Sequence, residues 1–210
     1  PYQAALISWQ QRSGWPILAD PLAAIPNGLG GVIRYWDLLL PNGLSQLPAN
    51  AQVLRLGSMP ASRRLEAWLA SQQGPQLLIT EGDPRPLDPL DVAQQWSGGL
   101  AQWWQQLSPQ LNGSPAEASA GAQQTRSLLN AWENADAAVG KRLSALLPIQ
   151  GAANEPALML ALAQLLPAAL PVMLAASSPV RDWQAFAAGD TGSRRCFSFR
   201  GASGIDGTLS

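Results

Sequence analysis

Two short apolar runs, Val53-Leu-Arg-Leu-Gly57 and Gln76-Leu-Leu-Ile-Thr80, flank a helix-like segment, Ser62-Arg-Arg-Leu-Glu-Ala-Trp-Leu-Ala70. This spacing constrains the fold more than any other feature of the chain. The runs are too short for helices, and they lack the strict alternation of a strand with one wet face. They read as strands buried on both sides. Two such strands joined by a helix form a parallel βαβ unit, with helices on both faces of its sheet.

The alternation extends in both directions. Upstream, residues 4–11 read as a helix closed by Gly14 and the turn Trp15-Pro16. Residues 17–21 read as a short strand entering a turn, Asn27-Gly-Leu-Gly-Gly31 as a loop, and residues 32–40 as a second helix. Downstream, Glu81-Gly-Asp-Pro84 is a turn, and residues 92–107 read as a Trp-rich helix. Residues 108–121 are rich in Pro, Ser, Gly and Ala, which reads as a linker. A helix over about 125–147 follows, then one capped by Asn154 with Pro156 in its first turn and stopped before Pro167. Residues 171–175 and 196–199 read as strands around a short helix at 178–187. The expected organisation is a three-layer parallel α/β domain over 1–108, a linker over 109–124, and an incomplete second α/β unit over 125–210. The chain opens at Pro1 directly on a helical pattern, as a piece of a longer protein would, so its sheet is expected to lack a strand or to carry an exposed edge.

Composition narrows the chemistry. Hydrophobic residues are 47% and charged residues 13% of the chain, enough apolar content for a sizeable core. The net charge of -1 gives no electrostatic footprint for nucleic acid. The chain has no histidine, so a Ser-His-Asp or Cys-His centre cannot be built from it, and the commonest zinc ligand is missing. The single cysteine, Cys196, cannot form an internal disulfide, which fits a cytoplasmic setting. The most apolar stretch, residues 157–176, is interrupted by Gln164, Pro167 and Pro171, so a helix followed by a strand is expected rather than a membrane span. No signal-peptide pattern opens the sequence. The tryptophans at 96, 103 and 104 have the spacing of core or domain contacts.

Arginines cluster after strand ends. Arg63 and Arg64 follow the strand ending at Gly57, Arg181 follows the strand near Ala175, and Arg200 follows Phe199. Ligands of open parallel sheets bind beyond the carboxyl ends of strands, and the guanidinium fork matches carboxylate or phosphate. The alternative is surface ion pairing with carboxylates such as Glu66 or Asp182. Gly201, Gly204 and Gly207, spaced by three after a strand, allow either close backbone approach to a ligand or an ordinary turn.

The segment Phe199-Arg-Gly-Ala-Ser-Gly-Ile-Asp-Gly-Thr-Leu-Ser210 resembles the signature of the 2-succinyl-5-enolpyruvyl-6-hydroxy-3-cyclohexene-1-carboxylate synthase family. Ser177-Ser-Pro-Val-Arg-Asp182, Ala19-Asp-Pro-Leu22, Leu56-Gly57 with Arg63-Arg64, and Pro86-Leu-Asp-Pro89 are similar to further segments of that family, in the same order. Ala176 and Phe199 stand where the family has Asn. The resemblance implies a thiamine-diphosphate enzyme that also uses Mg²⁺ or Mn²⁺. It would decarboxylate 2-oxoglutarate and add the succinyl unit to isochorismate in menaquinone or phylloquinone biosynthesis, as a cytoplasmic homodimer or homotetramer. It implies that residues 1–108 are most of the central domain and that 125–210 begin the diphosphate-binding domain. By the same resemblance, Arg63, Arg64, Ser177, Arg181 and Arg200 contact substrate. Ser177, Gly201, Ala202, Ser203 and Ile205 contact the cofactor, Ile205 as its apolar fulcrum. The activating glutamate and the metal motif are expected outside these residues, and Glu81-Gly-Asp83 is not that motif. Competing readings are another thiamine-diphosphate enzyme, such as an acetohydroxyacid synthase or a pyruvate decarboxylase relative, and a non-catalytic α/β binding module.

Overall fold

The computed structural model describes residues 1–23, 25–26, 28–43, 50–60, 62–110, 115–147, 154–187 and 194–199, without the side chains of 42–43 and 115–120. The chain begins with α1 (Tyr2–Ser13), ended by Gly14 in the left-handed region at φ 65°, with its N–H donating to Gln10 O. Then come β1 (Ile17–Leu18), β2 (Val32–Ile33), α2 (Trp36–Gly43), β3 (Val53–Leu56), α3 (Arg63–Ser71) and β4 (Gln76–Ile79). β5 (Gln94–Trp96), α4 (Gly99–Leu107) and α5 (Pro115–Leu146) follow. The last elements are α6 (Glu155–Leu165), β6 (Val172–Leu174), α7 (Ser178–Phe186) and β7 (Cys196–Ser198).

The strands pair in parallel as β1-β2, β3-β4-β5 and β6-β7. Alternate residues of the first two sheets feed two cores. On one face, α1 and α4 pack Leu6, Trp9, Leu100 and Trp104 against Ile17, Leu54, Leu56 and Ile79. On the other, α2, α3 and α5 pack Trp36, Leu40, Leu65, Leu69 and Trp132 against Leu18, Ile33 and Val53. The result is the expected three-layer parallel α/β arrangement. Each fully buried Leu or Ile contributes about 1.5–3 kcal/mol relative to an exposed one. A third core joins α6, α7 and β6 through Ala163, Leu174, Val180 and Trp183. Met173 and Phe197, paired across β6 and β7, point away from that core and are 57% and 43% exposed. No helix among the described residues is long and apolar enough to cross a membrane.

Three expectations are corrected. Residues 32–40 are not one helix: Val32 and Ile33 pair with Ile17 and Leu18, and α2 begins at Trp36. The β-branched pair takes the extended form because a neighbouring strand is there to pair with. Residues 92–107 are likewise split. Gln94–Trp96 pair with Leu77–Ile79, and Gly98-Gly99 separate strand from helix, with Gly99 at φ 79°. Finally, α5 begins at Pro115, inside the span read as linker. Pro at its first position and the Ala- and Glu-rich turn after it are helix-starting chemistry. α5 packs on α2 and β2, and Asp136 Oδ1 accepts from Tyr35 N at 2.7 Å.

Candidate functional site

Ser62, just beyond the carboxyl end of β3, is the N-cap of α3: its backbone is extended and its Oγ accepts from Leu65 N at 3.2 Å. The same hydroxyl donates to Asp37 Oδ1 on α2. Asp37 also holds Arg64, whose Nη1 lies 3.0 Å from Oδ2 and donates to the Asp37 carbonyl at 3.2 Å. Arg64 is 54% exposed, so the pair ties two helices at the surface rather than being buried with them. Arg63 is exposed and makes no ion pair among the described residues.

Ser177 and Arg181 lie at the start of α7, which follows β6 of the β6-β7 sheet. The chain leaves β6 at Leu174 and enters α7 with Ser177 at the N-cap position, where its side chain makes no capping bond. Ser177 and Arg181 are both exposed. Asp182, a possible ion-pair partner of Arg181, instead accepts from Ser178 Oγ at 2.7 Å. The first turn of α7 therefore carries backbone N–H groups without a side-chain cap and an exposed guanidinium, a combination suited to an anion. α2 packs against both α3 and α7, so the helices bearing Arg63 and Arg181 flank one element. Arg200, Gly201, Ala202, Ser203 and Ile205 lie outside the described residues.

Glu81 and Asp83 have local work. Glu81 Oε1 accepts from Leu100 N at 3.0 Å at the start of α4. Asp83 is 2.6 Å from Arg85 Nη2. Hydrogen bonds from the Arg85 side chain and backbone hold its carboxyl at about 2. Among the described residues, no group of three or more His, Cys, Asp or Glu could hold a metal ion.

Two arginines escaped the sequence reading. Arg55, in the middle of β3, is 8% exposed and stands 2.7 Å from Asp88, which is 7% exposed. The contact is short but poorly angled, and neither Nη1 nor Nη2 makes a well-directed hydrogen bond. Burial pushes the Asp88 carboxyl up, but the N–H of Ala93, the Arg55 guanidinium and the N–H groups of Val92 and Leu90 outweigh it and hold it below the ordinary value. A charge inside the otherwise apolar run Val53–Leu56 was the available signal. Arg194 donates to the carbonyls of Leu166, Pro167 and Leu170 at 2.9–3.1 Å, which closes the end of α6, and its guanidinium lies 5.9 Å from the Trp183 ring centre. No local pattern pointed to that contact.

A family model described as the middle domain of thiamine pyrophosphate matches residues 2–171. Among curated proteins, a 2-succinyl-5-enolpyruvyl-6-hydroxy-3-cyclohexene-1-carboxylate synthase of Synechococcus sp. (strain CC9311) is 78% identical over 210 residues, all of this chain and 36% of the relative. Synthases of the same name from Synechococcus sp. (strain WH7803) and Prochlorococcus marinus (strain MIT 9313) are 60% and 55% identical, again over the whole chain and 35% of each relative. This chain thus spans about a third of the length of the curated relatives it matches. With a layered parallel α/β architecture and a family match over residues 2–171, the chain belongs to the thiamine pyrophosphate middle-domain family, in the form that these synthases carry.

Proposed function

We propose that these 210 residues are part of a 2-succinyl-5-enolpyruvyl-6-hydroxy-3-cyclohexene-1-carboxylate synthase, a thiamine-diphosphate-dependent transferase of menaquinone or phylloquinone biosynthesis. The observation that carries this reading is the 78% identity to the Synechococcus synthase across all 210 residues. In this reading the cofactor supplies the electron sink for decarboxylating 2-oxoglutarate. The substrates are 2-oxoglutarate and isochorismate, both dicarboxylates.

What this chain adds is recognition of negative charge. Arg181 and Arg63, exposed and without an ion pair among the described residues, are assigned to substrate carboxylates, with Arg200 as a third. Arg64 is assigned to the same surface but shares its charge with Asp37. The uncapped first turn of α7 fits an anionic group, so Ser177 is assigned to position cofactor or substrate there. Gly201, Ala202, Ser203 and Ile205 are assigned to the cofactor. Mg²⁺ or Mn²⁺ and the activating glutamate belong, in this reading, to residues outside these 210. We take the passage from central to diphosphate-binding domain to follow α5, because α5 packs on α2 and β2 and the family match continues to 171. The full enzyme is read as a cytoplasmic homodimer or homotetramer.

The test is an assay of the longer protein with thiamine diphosphate, Mg²⁺, 2-oxoglutarate and isochorismate. The expected result is the synthase product, with none from the 210-residue chain alone. Turnover of pyruvate in place of 2-oxoglutarate would favour an acetohydroxyacid synthase, and no turnover of either would remove the reading.

A further inference from the structure

The turn Ala19-Asp-Pro-Leu22 stands just beyond the carboxyl end of β1. It is closed by Asp20 Oδ1, which accepts from Leu22 N at 2.8 Å, and by Ala23 N, which donates to Asp20 O at 2.9 Å. The Ala19 carbonyl has a second duty. Trp36, the first residue of α2, is fully buried, and its indole N–H donates to Ala19 O at 2.9 Å. Gln184 of α7 joins this pair. Its amide nitrogen donates to Ala19 O at 3.1 Å, and its amide oxygen accepts from Trp36 Nε1 at 3.0 Å, the orientation of the amide that serves both partners. Elsewhere on α7, Val180, Trp183 and Ala187 face their own core. Gln184 lies on the next stripe round the helix, shared with Ser177 and Arg181 at the spacing i, i+4, i+7. The receiving element matters as well: Asp37, next to Trp36, holds Ser62 and Arg64 at the start of α3.

We infer that Gln184 is a positioning residue: its amide clips α7 to the Ala19–Leu22 turn and to Trp36, and so fixes where Arg181 stands relative to the carboxyl end of the first sheet. The inference rests on the assignment of Arg181 to a substrate carboxylate made above. Apolar packing holds α7 to its neighbours, but it has no direction. Two hydrogen bonds from one head group set the rotation and height of the helix. Arg181 is one turn nearer the N-terminus on the same stripe, so any slip of α7 carries its guanidinium along. A guanidinium fork matches a carboxylate only in a narrow geometry, and misplacing a binding group by about 1 Å costs up to roughly a hundredfold in rate. The chemistry at the clip selects an amide. The Ala19 carbonyl takes a donor and the Trp36 N–H takes an acceptor, and one uncharged amide offers both. Through Trp36 and Asp37, two adjacent residues at the start of α2 receive both α7 and α3, which sets Arg181 and Arg64 relative to each other.

The test uses the longer protein, with steady-state kinetics for 2-oxoglutarate and isochorismate and a thermal midpoint on the same preparations. Gln184→Leu keeps much of the side-chain volume and removes both bonds. Gln184→Glu keeps the acceptor for Trp36 and turns a carboxylate oxygen toward the Ala19 carbonyl. Both should hold a midpoint close to wild type, because the Trp36 N–H keeps its bond to Ala19 O. Both should lower kcat/KM by about tenfold, through the KM of one dicarboxylate more than through kcat. In an Arg181→Ala background neither should lower it further, since the residue through which they act is gone. Losses that multiply with that of Arg181→Ala would overturn the proposal. So would wild-type kinetics in both variants, or a lost midpoint with normal kcat/KM per folded molecule. If Gln184→Leu does not fold, Gln184→Glu carries the same comparison, and failure of both to fold makes the amide structural and overturns the proposal. A wild-type protein that turns over neither substrate refutes the synthase reading and the proposal together. Normal wild-type turnover with multiplying losses refutes the proposal alone.

Discussion

Arg55 and Arg181 set two regions of the molecule side by side. Each belongs to a strand–helix unit of a parallel sheet, yet one guanidinium is sealed beneath α/β packing with Asp88 and the other stands in solvent at the start of α7. Arg55 is buried beside its carboxylate. Arg181 is exposed and makes no ion pair among the described residues, while the neighbouring Asp182 accepts from Ser178. Residue type and nearness to a strand thus do not separate a buried, paired arginine from an exposed one. What separates them is whether a counter-charge stands beside them among the described residues.

That contrast predicts a division of effects. The largest should come from Arg55→Ala, which leaves Asp88 buried without its partner. Breaking such a pair costs about 3–5 kcal/mol, and the poor angle of this one favours the lower end. Chemical denaturation of the longer protein should show the loss, with activity per folded molecule unchanged. If stability is unaffected, the buried pair has been misread. The same pair sets an acid limit. Because the folded Asp88 titrates below its ordinary 3.8, its contribution is complete above that value and fades as pH falls through the lower folded value. Asp88→Asn should flatten that acid limb.

Arg181→Ala should do the reverse, with a thermal midpoint like wild type and kcat/KM lower by about tenfold to a hundredfold, the loss of one charge-assisted bond of roughly 1.5–3 kcal/mol. Arg181→Lys should recover only part, since a point charge lacks the fork. Lost midpoint with normal kinetics would move Arg181 into the class of Arg55. Arg200→Ala is expected to follow Arg181→Ala. Next in size, Ser62→Ala removes the cap of α3 and a bond to Asp37, for about 1 kcal/mol of stability. The smallest effect belongs to Asp83→Asn. Asp83 is held at about 2 by exposed Arg85, so its stabilising share fades between about pH 3.8 and 2. Salt should erase it, because the pair faces water.

The parts of the fold that were legible in the sequence are those fixed locally. Strands at 53–56 and 76–79, the helix over 62–70, the cap Asn154 and Gly14 all carry their signals within a few residues. β2 and β5 were not legible because two or three residues become strand only through the neighbour they pair with. The start of α5 was read about ten residues too late because Ala- and Ser-rich composition suits a loop and a helix start equally. For the candidate site, the positions of Arg63, Arg64 and Arg181 followed from strand–helix boundaries, and Ser177 came only with the family resemblance. Their partners did not, since Asp37 and Arg64 meet only after α2 and α3 pack.

The outer face of the β6-β7 sheet has a practical side. Met173 and Phe197 stand next to each other on it, the Arg195 guanidinium lies over the Phe197 ring at 5.4 Å, and Phe199 beyond them is 52% exposed. Each such side chain forgoes roughly 1.5–3 kcal/mol of burial while it faces water. Among the described residues this sheet is a two-stranded ribbon; such a ribbon has little independent stability, and open edges beside apolar side chains are where proteins begin to aggregate. Handled alone, this chain should therefore lose solubility from its β6-β7 sheet first, and Met173→Lys or Phe197→Lys is the substitution that should keep it in solution.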